Sequence, residues 1–428
     1  MSDPVRVLVY GGIGSEACDT YRLGLYVERL AASGVRVEPW TPKLLHPQAY
    51  AGHWWDAIRD GLASVSFDGL TDGDVLLFSR WSNTRPACTE CGQDCGDPDG
   101  LERHRRETGH ASLGVDPLLR MVAAGLLVNP ALRSKCAVVY DLDDDLFHQP
   151  AWAGHAAGLA RELELVELFV RTADLVTVST PELARRMAPL AARVQVVRNA
   201  VEPEMYVAED AGVSGAEGPD GAAGPGGAGP DGDASTRLIF YGADVRQRDY
   251  EVCRAAVDGA AAESAARGKP IHRVWLGSDS AAVRELVDEA IPYRRTVAEF
   301  AAALAAARPD IGVAPLESGE FAAAKSELHW LELSIVGAAT VASRLEGEVG
   351  PYSMIRHHVD GMLAGDTAEW RRALLELAGS IALRDEIAGR ARERVLAEYQ
   401  VRDRALEWAA AYRWAATNPG SGIARFRS

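Results

Sequence analysis

Short β-rich runs alternate with helical segments in two series along this chain, and this alternation limits the fold more than any other feature. The first series places such runs at residues 6–10, 35–39, 74–79, 136–141, 175–179 and 194–197. The second series places them at residues 238–241, 272–276, 311–314, 339–343 and 361–364. Strands that alternate with helices form parallel sheets covered by helices on both faces. The sequence therefore predicts an α/β fold with two tandem Rossmann-like, doubly wound domains.

A Gly- and Pro-rich segment separates the two series. Residues 212–235 contain almost no large apolar side chain, so they cannot bury enough surface to offset the entropy lost on ordering. We expect the following organisation: an N-terminal domain over residues 1–202, a disordered linker over 203–236, a second domain over 237–398, and a C-terminal helix over 399–428 that packs back on the N-terminal domain.

Composition narrows the class of protein. The chain has 428 residues, of which 47% are apolar and 25% charged, as is typical of a globular protein with more than one domain. Its formal charge of −16 disfavours nucleic acid as a partner, because phosphate contacts need a basic surface. The N-terminal residues lack a secretory leader pattern, and no run of about 20 apolar residues suits a transmembrane segment. We therefore expect a cytoplasmic protein, and a homodimer is compatible with the sequence.

The stretch FAAAKSELHWLE, residues 321–332, is the leading candidate for a functional site. It follows a predicted strand and is predicted to be a loop that enters a helix, which Gly337 then ends. Lys325 and Glu332 would lie two helical turns apart on one face. A lysine at a helix start can bind phosphate, and a carboxylate two turns on can accept hydrogen bonds from a ribose diol. The alternative is a buried apolar stripe that includes Leu328, with Lys325 and Glu332 as solvated flanks.

A glycine-rich turn follows the first predicted strand. Gly11, Gly12 and Gly14 allow either a close backbone approach to a donor or acceptor, or a plain strand-to-helix turn. The pattern is not the G-x-G-x-x-G dinucleotide fingerprint with its acidic partner, so a nicotinamide cofactor is disfavoured. Tyr21 and Arg22, on the helix that follows, are candidates to face an acceptor.

An aspartate run ends the fourth predicted strand. Asp141, Asp143, Asp144 and Asp145 offer oxygen ligands that suit Mg²⁺ or Mn²⁺. The alternative is a strand-terminating loop in which one or two of these aspartates face a ligand cleft. His148 is a candidate to assist at the acceptor.

A cysteine and histidine cluster has the spacing C-x2-C-x12-H-x5-H. Its members are Cys88, Cys91, His104 and His110. Two thiolates and two imidazoles at such a spacing suit tetrahedral Zn²⁺. We therefore predict a structural, zinc-finger-like insertion over residues 85–112, in which Cys95 could replace one histidine as ligand. The alternative is a polar loop with unrelated cysteines.

Several short motifs occur in an order that resembles a known family. They are DLDDDLF at residues 141–147, STPEL at 179–183, VRNAV at 197–201, the Tyr241–Gly242 pair, DIGVAPL at 310–316, and then Phe321, Lys325, Ser326 and Glu332. Together they resemble glycosyltransferases of the GT-B fold, and within that fold the retaining group 1, or family 4, transferases. The resemblance covers most of the chain outside residues 85–112 and 205–235.

The resemblance implies a hexosyltransferase-like enzyme that uses a nucleotide-diphosphate sugar as donor. A small molecule, a glycan or a protein would be the acceptor, and the transfer would proceed with retention. Lys325 would contact the diphosphate, Ser326 would add a hydroxyl, and Glu332 would hold the ribose hydroxyls. Arg246 would supply a second cation, so no catalytic metal is expected. Further donor-binding candidates are Arg248, Phe321, Gly242, Gly12 and Gly14.

The sequence also departs from the family pattern. Counting back from Glu332, the first glutamate of the family's spaced pair falls on Ala324, while Glu320 lies in a different register. The glycine that follows the motif asparagine is replaced by Ala200. The Ala324 departure favours one alternative to the transferase, a non-catalytic regulator that binds a partner through the zinc module. A nucleotide-sugar epimerase with two Rossmann-like domains is a further alternative.

Overall fold

The structure is a computed structural model of the chain, and it describes a defined set of residues. These are 4–10, 17–40, 43–45, 64–79, 103, 106–108, 122, 125–126, 129–150, 163–207, 235–242, 246–278, 285–294 and 296–427. The chain forms two compact units: unit 1 comprises Met1–Arg198 and Arg404–Ser428, and unit 2 comprises Asn199–Asp403.

Unit 1 is built on a six-stranded parallel sheet with the strand order β2-β1-β5-β6-β7-β8. Its strands, with the separate antiparallel pair β3 and β4, are β1 (Val5–Tyr10), β2 (Val35–Trp40), β3 (Lys43–Leu45), β4 (Ser64–Ser66), β5 (Val75–Ser79), β6 (Ala137–Leu142), β7 (Leu175–Val178) and β8 (Val194–Val196). Every residue of β6 and β7 is buried, as expected of central strands in a parallel sheet that is covered on both faces.

Short helices connect the strands of unit 1. They are α1 (Ala17–Arg22), α2 (Val27–Ala32), α3 (Pro130–Arg133), α4 (Leu163–Thr172) and α5 (Pro181–Met187). The STPEL motif has a local structural explanation at the start of α5. The Thr180 side chain accepts a hydrogen bond from the Leu183 N–H, and Pro181 occupies the first helical position, so the motif forms a favourable helix N-terminus.

Unit 2 repeats this architecture with the parallel strand order β11-β10-β9-β12-β13-β14. The strands are β9 (Thr236–Gly242), β10 (Ile271–Gly277), β11 (Glu289–Pro292), β12 (Ile311–Ala314), β13 (Ala339–Ser343) and β14 (Met362–Ala364). The helices are α6 (Arg246–Ala266), α7 (Val297–Ala306), α8 (Glu320–Ala323), α9 (Leu328–Ile335), α10 (Thr367–Gly379) and α11 (Ile381–Glu398). These two parallel sheets with flanking helices confirm the predicted fold class.

The side chains of β9 alternate between two cores in unit 2. Leu238 and Phe240 belong to one buried cluster, and Ile239 and Tyr241 belong to the other. Because successive residues of a strand point to opposite faces, this alternation places Tyr241 on the face that packs against α9. Trp330 of α9 is fully buried in the same cluster.

The predicted linker begins too early. Pro203–Met205 form a turn of 3-10 helix, and Tyr206 is buried in a core of unit 2, because its aromatic ring gives this stretch apolar surface to bury. Val201 pairs with Gln400, which ties the entry of the chain into unit 2 to its exit. Residues 208–234 lie outside the described residues, so their disorder stays a prediction.

Two further helices follow, α12 (Val401–Ala416) and α13 (Ser421–Arg427), and from Arg404 onward they belong to unit 1. The Trp408 ring lies 6.2 Å from the Tyr26 ring and 5.5 Å from the Tyr412 ring. Trp408 and Tyr412 are almost fully buried, as expected for aromatics that dock a terminal helix.

A buried carboxylate clamps α13 to unit 1. Asp174 accepts hydrogen bonds from the Gly422 N–H at 2.9 Å and the Val138 N–H at 2.9 Å, and it pairs with Arg133 at 3.0 Å. A Cβ atom on Gly422 would lie 2.2 Å from the carbonyl oxygen of Ala173, so only glycine allows this approach. None of the helices that the structure describes combines the length and apolar character needed to cross a lipid bilayer.

Candidate functional site

The predicted donor-binding segment follows the carboxyl end of β12. The single turn of α8 ends at Ala323, and α9 begins at Leu328 with Glu327 as its N-cap. Lys325 therefore lies in the link between two helices, and the predicted spacing of two turns on one helical face is wrong. The cause is local: the Ala324 and Lys325 N–H groups donate to carbonyls three residues back, so α8 tightens and the chain leaves the helical path.

The Lys325 side chain rests on an aromatic face. Its Nζ atom lies 4.1 Å from the centroid of the Phe321 ring, and both residues are half-buried. A cation over an aromatic ring gains about 0.5–1 kcal/mol at such a site. This interaction orders the ammonium group, yet it is weak enough for a phosphate to replace.

The Ser326 hydroxyl is held by an asparagine from a distant part of the chain. Asn199 Nδ2 donates a hydrogen bond of 3.0 Å to Ser326 Oγ, and Asn199 is buried. This contact gives a structural role to the asparagine of the VRNAV motif. The sequence offered the motif as a signal but not the partner, which lies 127 residues away.

Glu332 is buried in α9, so the alternative of a solvated flank is wrong for this residue. Its side chain is 3% exposed, and Glu332 Oε2 lies 2.8 Å from the Tyr241 hydroxyl. The same hydroxyl lies 3.2 Å from the carbonyl oxygen of His329. Burial, with the neighbouring Glu332 charge as the next cause, raises the pKa of Tyr241 well above its usual value. The phenol therefore stays protonated and donates to the carboxylate.

The first turn of α6 and the segment after β12 bring charged side chains together. Asp249 Oδ1 accepts a hydrogen bond of 2.9 Å from the Glu317 N–H, and Arg248 Nε lies 3.1 Å from Glu317 Oε2. Arg248, Glu317 and Val252 line an open cavity of about 560 Å³. Arg246 is the first residue of α6, and its side chain lies outside the described part of the chain.

Gly242 has a structural reason to be glycine. Its φ angle is +146°, a conformation that L side chains rarely adopt. A Cβ atom on Gly277 of the neighbouring strand would lie 2.1 Å from the Gly242 carbonyl oxygen. The backbones of β9 and β10 thus approach closely where both strands end, and donor contact by Gly242 stays a prediction.

Unit 1 places Arg22 in its interior, against the expectation that it faces an acceptor. Arg22 donates hydrogen bonds to Asp141 at 2.8 and 3.0 Å and to the Val197 carbonyl at 2.5 Å. Its guanidinium lies 4.8 Å from the Trp408 ring centroid, and Tyr21 is also buried. Burial acts to lower the pKa of Arg22, but Asp141 outweighs it and the pKa is raised. The group therefore remains a cation inside a buried ion pair.

Asp145 is likewise committed within unit 1. Its fully buried side chain accepts from the Phe147 N–H at 3.1 Å, pairs with Arg186, and lies 2.8 Å from His148 Nδ1. The His148 side chain is 43% exposed. These contacts fix the ring of His148, whose part at an acceptor stays a prediction.

Arginines are partners of two members of the aspartate run. Asp141 and Asp145 are each paired with an arginine. Asp143 and Asp144 are half-buried, and their place facing a ligand stays a prediction. Within the described ranges, no group of three or more His, Cys, Asp or Glu side chains is arranged to hold a metal.

Two further sets of predicted site residues lie outside the described residues, so they stay predictions. They are the turn glycines Gly11, Gly12 and Gly14, and the zinc-site residues Cys88, Cys91, Cys95, His104 and His110.

Comparison with known proteins finds similarity at the level of structure. No protein-family model matches the chain, and no curated protein matches it. The Anabaena protein HepE, solved in complex with UDP and glucose, superposes with a TM-score of 0.54 and 13% identity over 95% of this chain and 98% of HepE. A glycosyltransferase from Rickettsia africae gives a TM-score of 0.53 and 9% identity over 97% of this chain and 100% of that protein.

These similarities show that the chain has the GT-B fold. A mutant of TarM from S. aureus also matches, with a TM-score of 0.47 and 10% identity over 80% of this chain. This chain spans 56% of the length of that TarM protein.

Proposed function

We propose that this protein is a glycosyltransferase that takes a sugar from a nucleoside-diphosphate donor bound to unit 2. The observation that carries the proposal is the placement of Lys325, Ser326 and Glu332 in one segment after β12. In doubly wound parallel sheets, ligands bind outside the carboxyl ends of the strands. The neighbour HepE, of the same fold, was solved with UDP and glucose, which supports a donor of this class.

The chemistry of the segment suits a diphosphate leaving group. Transfer breaks the bond between the anomeric carbon and a diphosphate oxygen, which leaves with the electron pair and gains negative charge. A fixed cation at that oxygen stabilises the transition state more than the ground state. Lys325, already ordered by Phe321, would be that cation, and Ser326 would add a hydroxyl.

The finer features of the proposal come from the resemblance. Retention would follow if the acceptor hydroxyl attacked from the side of the departing diphosphate, which would then take the acceptor proton. Arg246 and Arg248 would assist at the diphosphate. A structural Zn²⁺ on the predicted insertion and an acceptor held by unit 1 complete the proposal.

Binding of nucleoside diphosphates tests the proposal directly. Calorimetric titration with UDP, GDP, ADP and dTDP should give saturable binding of at least one of them. Lys325→Ala should weaken that binding by about 1.5–3 kcal/mol, the range of a charge-assisted hydrogen bond, which is roughly 10- to 150-fold.

Lys269→Ala is the matched control. Lys269 precedes β10 and its Nζ donates to the Gly379 carbonyl at 2.8 Å, so it lies at the amino end of the sheet and its removal should leave affinity unchanged. A protein that binds none of the four nucleotides would instead favour the non-catalytic regulator. Turnover of a nucleotide sugar to its epimer without any acceptor would favour the epimerase.

A further inference from the structure

The carboxylate of Glu332 is held by a tyrosine that comes from another strand of unit 2. Tyr241, near the carboxyl end of β9, lies 91 residues before Glu332 in the sequence, and the two side chains meet at 2.8 Å. The Tyr241 ring lies 5.1 Å from the Phe300 ring and 4.6 Å from the His329 ring. Packing on two sides therefore fixes the phenol, which is 5% exposed.

The fixed Tyr241 hydroxyl determines the orientation of the Glu332 carboxylate. The terminal torsion of a glutamate is broad and roughly two-fold, so an unsupported carboxylate would sample many orientations. A hydrogen bond to Oε2 sets the plane of the group and thereby the direction in which Oε1 points. Tyr241 acts only as a donor here, because its pKa is raised well above 10.

The place of Glu332 in the fold argues against a purely structural pair. Its neighbours Trp330, Leu331 and Leu333 are fully buried in the core, and a leucine at position 332 would suit that environment. A buried carboxylate costs stability even when it is hydrogen-bonded. Buried positions are normally filled by apolar side chains, and exceptions to this pattern occur most often at functional sites.

We propose that Tyr241 is a positioning residue that holds Glu332 in the orientation needed to accept hydrogen bonds from the ribose hydroxyls of the donor. The inference rests on the proposed function, since it requires a nucleotide in unit 2. Tyr241 itself does not touch the nucleotide. It sets the direction of the carboxylate. Loss of the Tyr241 hydroxyl therefore weakens the binding only of ligands that carry the ribose hydroxyls.

A pair of nucleotides that differ only in the ribose tests the inference. The probes are whichever of UDP, GDP and ADP binds the wild type most tightly, and its 2′,3′-dideoxy counterpart. Tyr241→Phe keeps the packed ring and removes the hydroxyl. It should weaken binding of the ribonucleotide by about five- to tenfold and leave the dideoxy probe within about twofold. In Glu332→Leu, which removes both acceptor oxygens, the two probes should bind alike, and adding Tyr241→Phe to it should change little.

Tyr250→Phe is the matched control, because it removes another buried hydroxyl from unit 2. Tyr250 stacks on Phe240 at 3.8 Å, and its hydroxyl has no hydrogen-bond partner among the described residues. Its loss should therefore leave the affinity for both probes unchanged.

Each other outcome counts against the inference in a distinct way. Equal weakening of both probes by Tyr241→Phe would mean that the tyrosine only supports the fold. If Tyr241→Phe fails to fold, Glu332→Leu still decides: continued discrimination between the probes would remove Glu332 as the ribose ligand and overturn the inference. A wild type that binds the two probes equally overturns it as well, but leaves the proposed donor site standing. A wild type that binds no nucleoside diphosphate overturns both.

Discussion

Charged residues at the strand ends have different partners in the two units. In unit 1, Arg22 pairs with Asp141 and Arg186 pairs with Asp145, so opposite charges neutralise each other inside the domain. In unit 2, Lys325 lies on the ring of Phe321 and Glu332 receives a hydrogen bond from the phenol of Tyr241. A neutral partner orients a charge without cancelling it. The difference indicates that these charges of unit 1 stabilise the interior of the domain, whereas in unit 2 an aromatic ring and a phenol orient Lys325 and Glu332.

The largest expected effect comes from breaking the buried ion pair of unit 1. Arg22→Ala should lower the free energy of unfolding by about 3–5 kcal/mol, because it leaves Asp141 buried without its cation. Urea denaturation followed by circular dichroism measures this. Arg185→Ala, which removes an exposed partner of Glu182, is the control and should change the stability little, because exposed ion pairs are screened by solvent. Equal losses in the two variants would contradict the structural use of charge in unit 1.

The second buried ion pair of unit 1 joins Arg133 to Asp174, and Asp174 also holds α13 through Gly422. Substitution of Gly422 tests the importance of this contact. Gly422→Ala should cost about 1–3 kcal/mol, since a Cβ atom would force α13 away from Asp174 and the Ala173 carbonyl. Thermal unfolding gives the measurement. Gly389→Ala, in α11 with open space around its Cα, should instead stabilise the protein by about 0.5–1 kcal/mol. A neutral Gly422→Ala would show that the clamp is not needed.

In unit 2, the aromatic partner of Lys325 can be removed by substitution of Phe321. Phe321→Leu keeps an apolar side chain but removes the ring face. The ammonium group of Lys325 therefore loses a cation–π interaction of about 0.5–1 kcal/mol that orders it. Nucleoside diphosphate affinity, measured by calorimetry, should fall by roughly two- to fivefold with little change in stability. Tighter binding would mean that the ring competes with phosphate for Lys325.

The smallest effect concerns an exposed ion pair of unit 1 and depends on pH. The hydrogen bond from Arg185 lowers the pKa of Glu182 to about 2, with burial opposing it and Arg186 adding to it. A carboxyl group whose folded pKa is lowered contributes stability above its unfolded value of about 4.5, and that stability is lost as the pH falls towards 2. Glu182→Gln should therefore cost less than about 1 kcal/mol at pH 7. Its stability should converge on that of the wild type between pH 4.5 and 2 in acid-denaturation curves, and a constant gap would contradict the assignment.

The strands could be predicted because their apolar runs are local. The predicted runs at 311–314 and 339–343 coincide with β12 and β13. Strands β3, β4 and β11 were not predicted. Of these, β11 is an edge strand that carries Glu289 and Pro292 and alternates between half-buried and exposed residues, so it lacks a continuous apolar run. Pairing with β10, rather than local propensity, gives it its conformation.

The candidate site could be predicted only in part, because its supporting contacts are not local. The sequence singled out Lys325, Ser326 and Glu332, but the start of α9 depends on how α8 closes. The partners Asn199 and Tyr241 lie 127 and 91 residues from the groups they hold. Such contacts arise from strand order, and no spacing within the segment reports them. The same reason explains why Arg22, paired across 119 residues, was expected on a surface.

The return of the chain to unit 1 after residue 403 has a consequence for biosynthesis. Domains usually fold in the order in which the ribosome releases them. Here Trp408, which covers Arg22, and Gly422, which binds Asp174, emerge only after the whole of unit 2. The part of unit 1 that is made first must therefore wait, incomplete, until unit 2 has been synthesised. A nascent chain that stalls before residue 404 would expose the unfinished interior of unit 1 to chaperones and proteases.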